Sequence, residues 1–196
     1  RGISMWVLKA TSQPAGVYTL LASRDGSFDS HTGAGGSDAG RKLLQTTSPW
    51  ESVYIDGVAS GLDLLTTAPV EQWFHIHINT AADLLFDLRI MCDTNGGQCM
   101  AGNVGTFYTW MRPLPSDQVA VIKAGFAENW EGSVLSPYSG LTSFYSLEAG
   151  QGTAASDMLG LHGTALITGA VWVENIAAPA AWRDEQVIAP SPPLPP

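Results

Sequence analysis

No apolar segment of this chain outlasts a β-strand. Residues 3–9 and 17–23 alternate or run apolar over strand length, with the turn cluster Gln13-Pro14-Ala15-Gly16 between them. Segments 50–56, 72–78, 84–92, 104–111, 119–124, 133–135, 142–147 and 165–174 read the same way. Residues 57–68 read as a connection or short helix. Roughly nine or ten short strands punctuated by Gly and Pro, with no long amphipathic helix and no internal repeat, predict an all-β antiparallel sandwich or barrel. An eight-stranded jelly roll leads within that class; immunoglobulin-like and lectin-like sandwiches are the alternatives.

At 196 residues the chain has the size of one domain with a sizeable core. Charged residues make up only 14% while apolar ones make up 45%, which argues against disorder and suits a surface largely occupied by neighbours. The net charge is −9 and the basic residues are scattered, so no concentrated positive face exists to neutralise phosphates. RNA or DNA is therefore expected to be bound only weakly and indirectly. No run reaches the roughly 20 apolar residues of a membrane-spanning helix, and no membrane partner is expected. The opening Arg1-Gly2-Ile3 lacks an initiator Met, which fits a processed or trimmed chain.

The two cysteines flank Cys92-Asp93-Thr94-Asn95-Gly96-Gly97-Gln98-Cys99. Asn-Gly is the strongest two-residue hairpin signal, and a turn there sets Cys92 opposite Cys99. The simplest reading of the pair is two reduced strand residues; a hairpin disulfide or half of a metal site are the others. Residues 23–40, with five glycines and four serines, read as a long exposed loop that contributes little to the fold.

Candidate chemistry is sparse. His75-Ile76-His77 places two imidazoles on one strand face, the arrangement of a metal pair, and resembles the His-x-His of cupins. Ala81 and Ala82 stand where that family has a Glu, and His162 lacks the surrounding pattern of its later histidine. A polar strand face is the preferred reading. Asp25, Asp29 and Asp38 lack EF-hand spacing and read as turn aspartates. Gly57-Val58-Ala59-Ser60-Gly61 is one residue off a nucleophile elbow. Asp83/Asp87 and Glu128/Glu131 are the nearest to paired carboxylates and read as surface charges. No catalytic, cofactor-binding or metal residue is assigned, and no enzyme is expected. Of the seven tryptophans, Trp6, Trp73, Trp110 and Trp172 lie in strands and are expected to pack; Trp130 and Trp182 are expected to face outward.

Ser136-Pro137-Tyr138-Ser139, followed by Ser143-Phe144, resembles the Pro-Tyr-x-Ser-x-x-Ser segment of picornavirus-like capsid subunits, with the plant secovirus type nearest in size. The Gly-rich connection 150–163 and the apolar strand after it fit that comparison. The resemblance implies a jelly-roll domain over residues 1–176 and an extended Pro-rich arm over 177–196. It implies a coat protein that assembles with like and sibling subunits, in host cytoplasm, into an icosahedral virion enclosing RNA. Trp130, Trp182, Ile188 and Leu194 are the candidate inter-subunit contacts. The rival reading is a secreted or cell-surface carbohydrate-binding β-sandwich, in which exposed aromatics stack on sugar rings.

Overall fold

The computed structural model describes residues 1–11, 19–23, 29–31, 50–60, 68–81, 88–92, 99–124, 140–145, 147 and 153–166. Among them the chain is mostly antiparallel β-structure. Strands β1 (Gly2–Lys9), β4 (Trp50–Ile55), β5 (Val58–Ser60), β6 (Trp73–Thr80), β8 (Gly102–Trp110) and β9 (Leu141–Tyr145) form a six-stranded sheet in the order β5-β4-β6-β1-β8-β9. Strands β2 (Thr19–Ser23), β3 (Asp29–His31) and β7 (Leu88–Ile90) form a second sheet, β3-β2-β7. A two-residue pair, β10 (Ala154–Ala155) with β11 (Ala165–Leu166), follows β9.

The strand expectations for 3–9, 50–56, 72–78, 104–111 and 142–147 coincide closely with β1, β4, β6, β8 and β9. Only the beginning of segment 165–174 is described, as β11; segment 133–135 lies outside the described residues. Three expectations are corrected. Residues 119–124 are not a strand but part of a helix, α1 (Ser116–Ala124). Pro115 opens it by accepting the Val119 amide, Asp117 sits in its first turn and Lys123 in its last, matching the helix dipole. Val119 and Ile122, three apart, put one apolar stripe inward, so the β-branched run reads as strand only when that spacing is ignored. Residues 57–60 are neither connection nor helix. Asp56 and Gly57 both have positive φ, 50° and 79°, and make a two-residue hairpin that pairs Ile55 with Val58. Finally, the 23–40 segment is not all loop, because residues 29–31 form β3 on the edge of the second sheet; the rest of that segment lies outside the described residues.

The sandwich core lies between the two sheets. Ile3, Met5, Val7, Phe74, Ile76, Ile78 and Phe107 face Leu20 and Leu21 there, with Leu88, Ile90 and Met91 packed alongside. The other face of the six-stranded sheet is also covered: Tyr108 and Trp110 pack with Leu114, Val119 and Ile122 of the α1 segment. β1 is consequently buried along its whole length. At its end, Gly102 (φ 153°) lies against the Leu8 carbonyl so closely that any Cβ would overlap it.

Cys92 and Cys99 are disulfide-bonded, which corrects the reduced reading. The Met100 amide bonds the Met91 carbonyl at 2.7 Å, in the register an Asn95-Gly96 turn requires; the turn itself lies outside the described residues. The two arms do not continue as one hairpin. β7 joins the second sheet and β8 the first, so the bond clamps the point where the chain passes between layers. Closing this short loop is worth about 2–3 kcal/mol by chain entropy. The double variant Cys92→Ser/Cys99→Ser is expected to lose that much stability in urea unfolding, while keeping the wild-type circular dichroism.

Candidate functional site

Two polar clusters stand out, the first held mainly by buried hydrogen bonds and the second by part-buried ones. The first lies on the α1-covered face of the large sheet. Residues 75, 77 and 79 of β6 share that face, as strand geometry dictates. The register sets Ser4 of β1 on one side of His77 and Tyr54 of β4 on the other. Asn79 fixes the hydrogen-bond directions: its Oδ1 accepts the Leu114 amide at 2.8 Å, and its Nδ2 donates to the Leu114 carbonyl at 2.8 Å and to Ser52 Oγ at 3.0 Å. Oδ1 is thus an acceptor, so His77 Nε2, 2.9 Å away, carries the proton. His77 Nδ1 is then the acceptor for the Ser4 hydroxyl at 2.6 Å. Burial pushes the His77 imidazolium down to a pKa of about 4, against a smaller upward pull from Asn79.

His75 differs. It is fully buried, its ring lies 5.5 Å from that of Trp6, and neither ring nitrogen has a hydrogen-bond partner among the described residues. Burial first, then His77 and Lys123, lowers its pKa to about 3.

The cluster lacks a metal pair's geometry, and its imidazole-bonded hydroxyl is buried. Both nitrogens of His77 are engaged, leaving no lone pair for a cation, and no group of three or more potential ligand side chains converges among the described residues. Ser4, His77 and Asn79 line up as a hydroxyl–imidazole–amide relay, yet all three are buried beneath tightly packed neighbours and Ser4 is wholly inaccessible. What the arrangement does is satisfy polar groups inside the fold. The polar-face reading of His75 and His77 is right in periodicity, but the face is covered by α1 rather than solvated.

The second cluster centres on Asp157, which had no role in the sequence reading. Its Oδ1 accepts the amides of Phe144 (2.9 Å) and Leu159 (3.2 Å), and its Oδ2 those of Leu161 (3.0 Å) and His162 (2.9 Å). Burial alone would raise this carboxyl; the four donors outweigh it and hold the pKa below the ordinary value. The result ties residues 157–162 to β9, and Tyr145 adds a bond from its hydroxyl to the Gly163 carbonyl. Met158 and Leu161 project from this pinned segment and are 61% and 66% exposed; Leu166, beyond it on β11, is 82% exposed. The only sequence signal for the knot is an Asp followed by Gly160 and Gly163, which is common in loops.

Of the remaining candidates, Trp6 and Trp110 pack in the interior as expected, and Trp73 is half-buried. His162 is exposed and lends only its amide, and Ser60 sits on β5. Trp130, Trp172, Trp182, Ile188 and Leu194 lie outside the described residues, as do Asp25, Asp38, Asp83, Asp87, Glu128 and Glu131. Among the described residues, no helix is long and apolar enough to cross a membrane. Comparison of the chain with protein-family models, curated proteins and solved structures finds no match.

Asn79→Ala would leave the Leu114 amide and His77 Nε2–H buried without partners. At about 1–3 kcal/mol per unsatisfied donor, a loss of about 3 kcal/mol or more is expected in urea unfolding. Asp157→Ala is expected to free the 153–166 segment for limited proteolysis at neutral pH while β1 and β6 keep their amide protection. Because folding depresses the Asp157 pKa, its stabilisation is present above the ordinary carboxylate pKa and is lost as pH falls through the folded value. Wild-type cleavage of this segment by pepsin should therefore accelerate only at strongly acidic pH.

Proposed function

We propose that this chain is a non-catalytic assembly subunit: a jelly-roll coat protein resembling those of picornavirus-like capsids, with the six- and three-stranded sheets as its two leaves. The observation that supports this best is the exposed pair Met158 and Leu161 on a segment tied to β9 by Asp157, with Leu166 exposed on β11 beyond it. Exposed apolar groups on a pinned segment suit burial against another protein surface, since no ordering cost opposes it. The partners on this reading are like and sibling subunits in a virion, with RNA contacted weakly, and the arm 177–196 lies over a neighbour. The low charge content and net −9 fit a subunit that encloses RNA without gripping it.

A second reading is a secreted carbohydrate-binding sandwich, and the disulfide favours it. Such bonds form in oxidising compartments and are rare in cytosolic proteins. Against it, the large exposed apolar side chains among the described residues are aliphatic or Met, and none is an aromatic platform for a sugar ring.

Negative-stain microscopy of the expressed chain, together with its sibling subunits where these are required, tests the proposal. Uniform particles of virion size support it. A monomer that binds immobilised glycans overturns it in favour of the second reading. Deleting 177–196 is expected to abolish particles while leaving the circular dichroism of the domain unchanged; particle yield equal to wild type would refute the arm's role.

A further inference from the structure

Two imidazoles lie buried on the α1-covered face, and neither ring nitrogen of His75 has a hydrogen-bond partner among the described residues. A neutral imidazole is tolerated in such a place, whereas an imidazolium without a counter-ion is not. We propose that the His75–His77 stripe is an acid trigger: the rings accept protons only when the α1-covered face opens, so falling pH drives that face open.

The groups around the stripe make it one-directional. From α1, Lys123 adds like charge to His75. From the β4–β5 turn, Asp56 accepts the His75 backbone amide, not its ring, through Oδ1 at 3.0 Å. Around His77 stand Tyr54 of β4, Trp110 of β8, Ser4 of β1 and Asn79 of β6, all uncharged. Gly2 packs against the His77 ring. Among the described residues, no carboxylate is hydrogen-bonded to either ring.

The sign follows from linkage. Both histidines have folded-state pKa values, about 3 and about 4, below the ordinary 6.5. The closed state therefore binds fewer protons than the opened one. Its advantage is complete above pH 6.5 and falls as pH drops toward the folded values, by up to about tenfold in the opening equilibrium per pH unit for each histidine. Asp157, whose pKa is depressed, titrates below this window and does not account for a change within it.

Amide exchange on the full chain, normalised to intrinsic rates, tests the trigger at Leu114 and Val119, whose amides bond Asn79 and Pro115. Protection at both is expected to fall by more than about tenfold per unit between pH 6 and pH 4.5, toward a two-proton dependence. His75→Leu removes one titrating group and no hydrogen bond, and should halve the logarithmic slope. Protection that is independent of pH, or an unchanged slope in His75→Leu, overturns the proposal. Should that variant not fold, the ring nitrogen shifts of the wild type decide. Neutral His75 and His77 in the folded state at pH 5.5 support the trigger, and protonation of either ring there overturns it. None of these outcomes depends on whether the chain assembles or binds glycans.

Discussion

The structure depends on how Asn79 closes a polar stripe inside the protein. β1 and β6 are central strands of a sheet covered on both faces, and such strands are ordinarily apolar throughout. Here one face instead carries Ser4, His75, His77 and Asn79. Asn79 takes up both backbone groups of Leu114, the residue that leads into α1, and the Nε2–H of His77. One side chain thus docks the helix entry on the sheet and fixes the tautomer of the neighbouring ring. Buried networks of this kind are harmless when complete and costly when a single partner is lost. His75 lies beside this network, and neither of its ring nitrogens has a hydrogen-bond partner among the described residues.

The two layers are joined by different means on the two sides of the sheet. Toward the second sheet the contact is apolar burial, tightened where the Cys92–Cys99 bond holds the crossing from β7 to β8. Met91, at positive φ (67°), turns the chain there while its amide bonds the Leu20 carbonyl. Toward α1 the contact mixes aromatic packing with directional bonds: Tyr108 stacks on Phe144 at 4.9 Å, and Gln118 accepts from Arg112. The apolar side is insensitive to pH, and the α1 side is where a proton changes the balance.

Strand period was the most legible feature of the sequence. The alternation in β6 and the run in β1 are set by local side-chain direction, so both were readable without knowing their neighbours. What covers a face is not local. Reading 119–124 as a strand removed the helix that hides His75 and His77, and their burial was lost with it. Val119 and Ile122 at helical spacing, between Asp117 and Lys123, were the usable signal. Asp56-Gly57 is a hairpin signal as strong as Asn95-Gly96, but it was absorbed into the longer segment 57–68. The state of the cysteines was not legible, since equal spacing from a turn shows that they face each other and not that they bond. Asp157 was invisible because its four donors come from both β9 and its own loop.

Sheet edges limit how such a sandwich can associate. An open edge strand presents unpaired amides and carbonyls to any other chain. At β9 the exposed edge is closed at Phe144: its amide is taken by Asp157 and its carbonyl by the Met158 amide, at 2.7 Å. At the other end β5 is only three residues long. Strand addition therefore finds little purchase at either end of the large sheet. The loop that closes β9 is the one that displays Met158 and Leu161. Closing the edge and exposing Met158 and Leu161 are thus two consequences of one carboxylate, which leaves Phe144 no backbone group to offer a further strand.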